Sequence, residues 1–210
     1  MTSGSAIKRA SERQEILDEI KARQHAARRK RRILVRSLSL GLLLAVVALV
    51  SWALITSKPK QDTATRVAPD FTLSDTAGVT HTLSAERGHP VLLYFSEGAG
   101  CQSCIVQQAQ DEKEPGFAAA GITVWPIVMD KAADITQAAA AAGAKTPFLL
   151  DDGTVSREYG TLGTGMHADL PGHGFVLVDA SGKQVWKGDY PSMWIDPKQL
   201  LTIVKGKLGL

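Results

Sequence analysis

Two cysteines stand two residues apart in Cys101-Gln102-Ser103-Cys104, and the 210-residue chain has no others. This spacing puts the second sulfur one helical turn after the first, within reach of a disulfide. The segment follows the apolar run Val91-Leu92-Leu93-Tyr94-Phe95 and leads into a helical pattern, so Cys101 falls at a helix N-terminus. Unpaired N–H groups and the positive end of the helix dipole favour a thiolate there. Cys101 is then the exposed nucleophile, and Cys104, deeper in the helix, the thiol that resolves a mixed disulfide. Half of a zinc site, two free core cysteines or a static disulfide would share the spacing. A four-residue ring, however, is a poor long-range staple, because loop-closure stabilisation grows with loop length. The reading is a redox-active disulfide, Cys101–Cys104, that needs no dissociable cofactor because the sulfurs carry the electrons.

The elements that must hold this pair are legible from period and punctuation. Phe71–Leu73 and His81–Leu83 flank a turn at 75–78 and predict a hairpin. Val91–Phe95 and Ile122–Met129 are continuous apolar runs, as expected of strands buried on both faces. Cys101 to Lys113 predicts a helix stopped near Pro115-Gly116, and Asp134–Ala142 a helix ended by Gly143. Phe148–Leu150 is a short strand and Val155–Tyr159 a helical turn. Phe175–Val178 and Gln184–Lys187 form a hairpin around Asp179-Ala180-Ser181-Gly182, and Pro197–Lys207 closes the chain as a helix capped by Asp196. The order gives a three-layer α/β domain with a mixed sheet.

Composition fits one such domain and little more: 44% of residues are apolar and 21% charged. The net charge of +3 hides a split. Residues 1–36 carry 11 basic and 4 acidic residues, whereas residues 57–210 carry 13 and 17. The basic excess belongs to a tail, so nucleic acid is not an expected partner of the folded part. Between Arg36 and Lys58 lie 21 uncharged residues, which as a helix span about 31 Å, the thickness of a bilayer's hydrocarbon core. Arg28–Arg32 and Arg36 precede them, so the positive-inside rule puts the N-terminus in the cytoplasm. A cleaved signal peptide is the rival; the long basic lead and the weak site Ser51-Trp52-Ala53 favour an uncleaved anchor. The expected organisation is a basic cytoplasmic tail (1–36), a transmembrane helix (37–57), a linker (58–66) and an extracytoplasmic domain (67–210). The tail, with Ile7, Ile16, Leu17 and Ile20 as sparse apolar points, is either a basic helix lying on anionic lipid or disordered.

The outer domain resembles the redoxin branch of the thioredoxin superfamily, which takes in membrane-anchored thiol–disulfide oxidoreductases and peroxiredoxins of the AhpC/TSA type. The resemblance rests on Ala68-Pro69-Asp70-Phe71-Thr72-Leu73, on Val91–Phe95 leading to Gly100-Cys101-Gln102-Ser103-Cys104, on Pro147–Asp151 and Tyr159-Gly160, and on Phe175–Lys183. It implies a thioredoxin-like three-layer fold with a mixed central sheet, preceded here by a single transmembrane helix. Several positions depart from the pattern. Gly100 replaces the tryptophan usual before the first cysteine, and Tyr94 stands near the place of thioredoxin's buried aspartate. A proton acceptor for Cys104 must then come from elsewhere, and Glu97 is the nearest candidate, with a solvated loop carboxylate as its plainer reading. Pro171 is the candidate for the family's cis-proline, either cis or an ordinary trans loop proline, although counting back from Asp179 puts His173 at that position. The Pro171–Gly174 loop would be the wall against which a partner lies.

The resemblance implies a membrane-anchored thiol–disulfide oxidoreductase. Its partners would be extracytoplasmic protein thiols and disulfides, a membrane or soluble electron donor or acceptor, and the lipid bilayer. The alternative is a copper chaperone of the same fold, holding Cu(I) with Cys101, Cys104 and His173, with Met166 or His167 in support. Against it, that family spaces its cysteines by three residues rather than two. A thiol peroxidase is the third reading, and it lacks the Pro-x-x-x-Thr-x-x-Cys pattern: Tyr94 and Gly98 precede Cys101 at those places, and Glu97 and Cys101 precede Cys104. Trp125, Trp186 and Trp194 read as core or hairpin residues.

Overall fold

The protein is described by a computed structural model covering the backbone from Ser3 to Leu210 and the side chains of Glu19, Lys21, Arg23 and residues 28–210. The chain divides into two units, residues 1–55 and 56–210. The first is a continuous helix, α1 (Ser3–Thr56). Its stretch Arg28–Thr56 is long and apolar enough to cross a membrane, with a mean hydropathy of 2.6, and its apolar side chains are exposed. The side chains of Ile7, Ile16, Leu17 and Ile20 lie outside the described residues.

The second unit is built on a mixed sheet. In chain order come β1 (Lys60–Asp62), β2 (Arg66–Val67), β3 (Thr72–Ser74), β4 (Thr80–Thr82), β5 (Val91–Phe95), α2 (Gln102–Asp111), α3 (Pro115–Ala119), β6 (Thr123–Val128), α4 (Ala132–Ala142), β7 (Leu149–Leu150), α5 (Thr154–Glu158), β8 (Gly174–Val178), β9 (Lys183–Asp189) and α6 (Pro197–Leu208). The sheet order is β1-β9-β8-β5-β6-β7, with β2 also on β9 and β3–β4 as a separate hairpin. β5, β6 and β7 run parallel, while β8 and β9 run antiparallel to their neighbours. This is the three-layer α/β arrangement on a mixed central sheet that the sequence predicts, thioredoxin-like in its order.

β5 shows why the domain has three layers. All five of its side chains are buried, and successive ones point to opposite faces. Val91, Leu93 and Phe95 pack with Phe71, Leu83, Val155 and Tyr159 on one face. Leu92 and Tyr94 pack with Phe117, Trp186, Leu200 and Val204 on the other. A third cluster, Ile105, Val128, Ile135, Ala139 and Phe148, joins α2 to α4 beside the strand ends.

One expectation is corrected. Residues 58–66, expected as a linker, contain β1 and the first residue of β2, which pair with β9 along Lys60↔Asp189 and Arg66↔Gln184. Gln61 accepts from the Trp186 indole at 3.2 Å, and Arg66 donates to Gln184 at 3.0 Å. Edge strands bind through their backbone, so exposed polar side chains do not oppose pairing. As expected, the helix from the cysteines stops short of Pro115-Gly116, at Asp111; Pro115 then opens α3, where Glu114 accepts from the Gly116 N–H at 3.1 Å.

Candidate functional site

The redox pair sits where β5 leaves the sheet. Ser96 still donates to Ile127 O at 3.3 Å, and the chain then turns through Gly98–Gly100 into Cys101. Gly98 has φ +72°, and a Cβ there would run into the Asp130 carboxylate that accepts from the Ala99 N–H at 3.2 Å. Only glycine fits both constraints. Cys101 is the N-cap of α2, and its Sγ accepts from the Cys104 N–H at 3.3 Å. The two cysteines are joined in a disulfide with Cα atoms 5.3 Å apart. Cys104 is fully buried and Cys101 is 9% exposed, so the first sulfur is the one a partner can reach.

Beneath Cys104 the strand contributes Tyr94. Its phenol donates to Cys104 O at 3.0 Å and lies 3.1 Å from His173 Nδ1. The phenol has a single proton, so the Nδ1–H of His173 points to the phenol oxygen and Nε2 is the bare nitrogen. That Nε2 is buried with no hydrogen-bond partner. The His173 ring meets Tyr94 and Phe175 edge-on, and Tyr94 stacks on Phe175 at 4.6 Å. Burial holds the imidazole neutral, with its pKa lowered to about 4, and pushes the phenol of Tyr94 well above its usual value.

The other expected site residues are placed differently. Glu97 is buried rather than solvated; it accepts from the Met166 N–H at 2.8 Å and pairs with His167 Nδ1 at 3.1 Å. It therefore ties down the loop that follows α5. Pro171 bridges to Leu162, and the described residues contain no cis peptide bond, so its bond is trans. The loop makes its sharp return through glycine instead. Gly172 donates to Thr161 O at 3.0 Å, and a Cβ on it would lie 2.6 Å from Gly165 N. His173 occupies the position just before β8. Among the described residues no group of three His, Cys, Asp or Glu is placed to hold a metal.

Two features were not read from the sequence. Trp194, expected as a core or hairpin residue, is 41% exposed. With Gln102, Ser103, Val106, Ser192 and Met193 it lines a cleft of about 290 Å³ beside the residues between the cysteines. Met193 has φ +56°, the sole non-glycine residue at positive φ among those described. The loop is held from inside by Gln107, whose amide donates to Ile195 O and accepts from the Ile195 N–H, both at 2.9 Å. The second feature is the polar run Gln107, Gln108 and Asp111, all buried on α2. Helical periodicity alone assigns such residues to the solvent face; the strand contacts that bury them are long-range.

Residues 64–186 match the AhpC/TSA family. Peroxiredoxin Q of the Triticum aestivum chloroplast is 33% identical over 123 residues, covering 55% of this chain and 54% of that protein. The chain thus spans about half the length of that curated relative. Peroxidoxin BcpB from Mycobacterium tuberculosis has a TM-score of 0.58 at 20% identity, over 69% of this chain and 97% of its own, which is a likeness of fold. A Chlorobium tepidum protein described as thiol:disulfide interchange protein DsbE is 26% identical, with a TM-score of 0.53 over 68% of this chain and 95% of its own. A Bacteroides thetaiotaomicron protein described as a protein disulfide isomerase is 25% identical, with a TM-score of 0.54 over 69% and 89%.

Proposed function

The chain belongs to the AhpC/TSA family, and from that footing we propose that it is a membrane-anchored thiol–disulfide oxidoreductase acting on protein thiols outside the cytoplasm. The observation that carries the reading is the asymmetry of the pair: Cys101 caps α2 and keeps 9% of its surface exposed, while Cys104 is sealed beneath it. In the reducing direction the Cys101 thiolate attacks one sulfur of a partner's disulfide. That S–S bond breaks, one partner sulfur leaves as thiolate and takes a proton, and a mixed disulfide remains on Cys101. Cys104 loses its proton and attacks Cys101 Sγ, which releases the second partner thiolate. Two electrons pass from the dithiol to the partner, and the oxidised pair runs the same steps in reverse.

Tyr94 and His173 are the auxiliary residues of this reading. The phenol fixes the carbonyl of Cys104, and the neutral imidazole backs the phenol. The cleft at Trp194 receives an apolar side chain of the partner, with the Pro171–Gly174 loop as the opposing wall. α1 anchors the domain with Arg28–Arg32 on the cytoplasmic side, which confines it near membrane-bound partners and raises its effective concentration there.

The likeness to peroxiredoxin Q favours a second reading, in which Cys101 attacks a peroxide oxygen. The chain does not carry the Pro-x-x-x-Thr-x-x-Cys pattern, which places this reading second. A trapping experiment tests the first. Cys104→Ser should accumulate a mixed disulfide between Cys101 and a partner protein from the extracytoplasmic fraction, while Cys101→Ser should trap nothing. Adducts absent from Cys104→Ser, or exchange persisting in Cys101→Ser, would overturn the assignment of the nucleophile.

A further inference from the structure

The buried face of α2 is polar where a helix normally buries an apolar stripe. Cys104, Gln107, Gln108 and Asp111 follow one another at i, i+3, i+4 and i+7 and are all buried. Gln107 is committed to Ile195 and also donates to Asp111 Oδ1 at 2.9 Å. Gln108, lying between Cys104 and Asp111, has neither end of its amide paired, and Asp111 Oδ2 is likewise without a partner. Ser96 Oγ, just past β5, and His173 Nε2, just before β8, are also buried without a partner. Buried polar groups are rarely left so, and several along one helix face that begins at Cys104 mark a device rather than a packing accident.

We propose that Asp111 is a positioning residue for the resolving step: its carboxylate opposes the Cys104 thiolate along this face, so Cys104 attacks faster while Asp111 is protonated. The proposal rests on the thiol–disulfide reading above. Seven residues of helix separate the two groups by about 10.5 Å along the axis. Two charges that far apart at an effective dielectric constant of about 20 oppose one another by roughly tenfold in population. Burial, reinforced by Asp196 at the N-cap of α6, keeps Asp111 in its acid form up to about pH 8. Its charge is also felt by Tyr94 on β5.

The other groups around the stripe leave Asp111 in control. Tyr94, Tyr190 and His173 are held neutral by burial. α4 meets α2 through Ile135 and Ala139, and its Asp134 acts on Asp130. Glu112 is turned to the N–H groups of Lys145 and Thr146. In the step concerned, the Cys104 thiol gives its proton to water and its sulfur attacks Cys101 Sγ. The bond from Cys101 to the partner sulfur breaks, and that sulfur leaves with the electron pair. No further oxidant enters.

The test uses the full chain in detergent, with glutathione joined to Cys101. Glutathione release is followed from pH 6.5 to 9.5 in the wild type and in Asp111→Asn, which keeps the acceptor for Gln107. The two rates should agree within about twofold at pH 6.5, and the variant should lead by roughly tenfold above pH 8.5. A ratio constant with pH, or a variant slower than the wild type at high pH, would overturn the proposal; the latter would mean that the carboxylate acts as a base. Thiolate absorbance of Cys101→Ala, which leaves Cys104 as the single cysteine, gives a readout independent of exchange. Adding Asp111→Asn should move that titration down by about one pH unit. A shift without any glutathione release would refute the exchange reading and leave the coupling intact; release without a shift would refute the coupling alone.

Discussion

His173 and Asp111 are both buried and both uncharged near neutral pH, but they pull stability in opposite directions. The folded pKa of His173 is about 4 against an ordinary 6.5. An unfolded chain therefore takes up a proton below pH 6.5 that the folded chain refuses, and stability is lost as pH falls from 6.5 to 4. The full effect is about 3 kcal/mol. Asp111 is raised from 3.8 to about 8, so folding holds its proton, and stability is lost as pH rises through that window. Chemical denaturation against pH should show His173→Phe flattening the acid limb and Asp111→Asn the limb between pH 6.5 and 8. An Asp111→Asn variant no more stable relative to the wild type at pH 8.5 than at pH 5 would contradict this account of Asp111. Tyr94→Phe removes the bond to Cys104 O and leaves His173 Nδ1 unpaired. It should cost about 1–3 kcal/mol in the denaturation midpoint.

At the scale of elements, the sequence was most legible where one local signal sufficed. The run Val91–Phe95 gives β5 residue for residue, because a strand covered on both faces must be apolar throughout. Gly143 ends α4 with φ +74°, as its position after the alanines implies. Legibility fails where pairing is long-range or polarity is turned inward. Lys60-Gln61-Asp62 is exposed at all three positions and becomes a strand through β9, whose partner residues lie more than 120 positions away. The polar face of α2 is buried because Tyr94 and the loop around Ile195 cover it, which no window on the helix reports. Gln107 is the test of that cover. Gln107→Leu breaks both bonds to Ile195 and should cost about 1–3 kcal/mol. It should also free the Trp194 loop, read as faster hydrogen exchange at 190–196. Unchanged protection there would mean that the loop is held by something other than Gln107.

For the whole molecule, the proposed topology puts the apolar helix across a membrane and the redox domain on its outer side. Protease added to intact cells should digest residues 56–210 and spare the tail; a protected domain would reverse the topology. The central claim concerns chemistry, and the domain carries its own reporter, since the exposed Trp194 lines the cleft with the two residues between the cysteines. The most direct measurement is stopped-flow tryptophan fluorescence on the reduced full chain in detergent, mixed in parallel with a disulfide-bonded test protein and with hydrogen peroxide. Rapid oxidation by the protein disulfide is expected, with a peroxide rate no greater than that of an ordinary thiolate. A peroxide rate far above that of a free thiolate, with a sluggish response to the protein disulfide, would contradict the exchange reading and make the chain a thiol peroxidase.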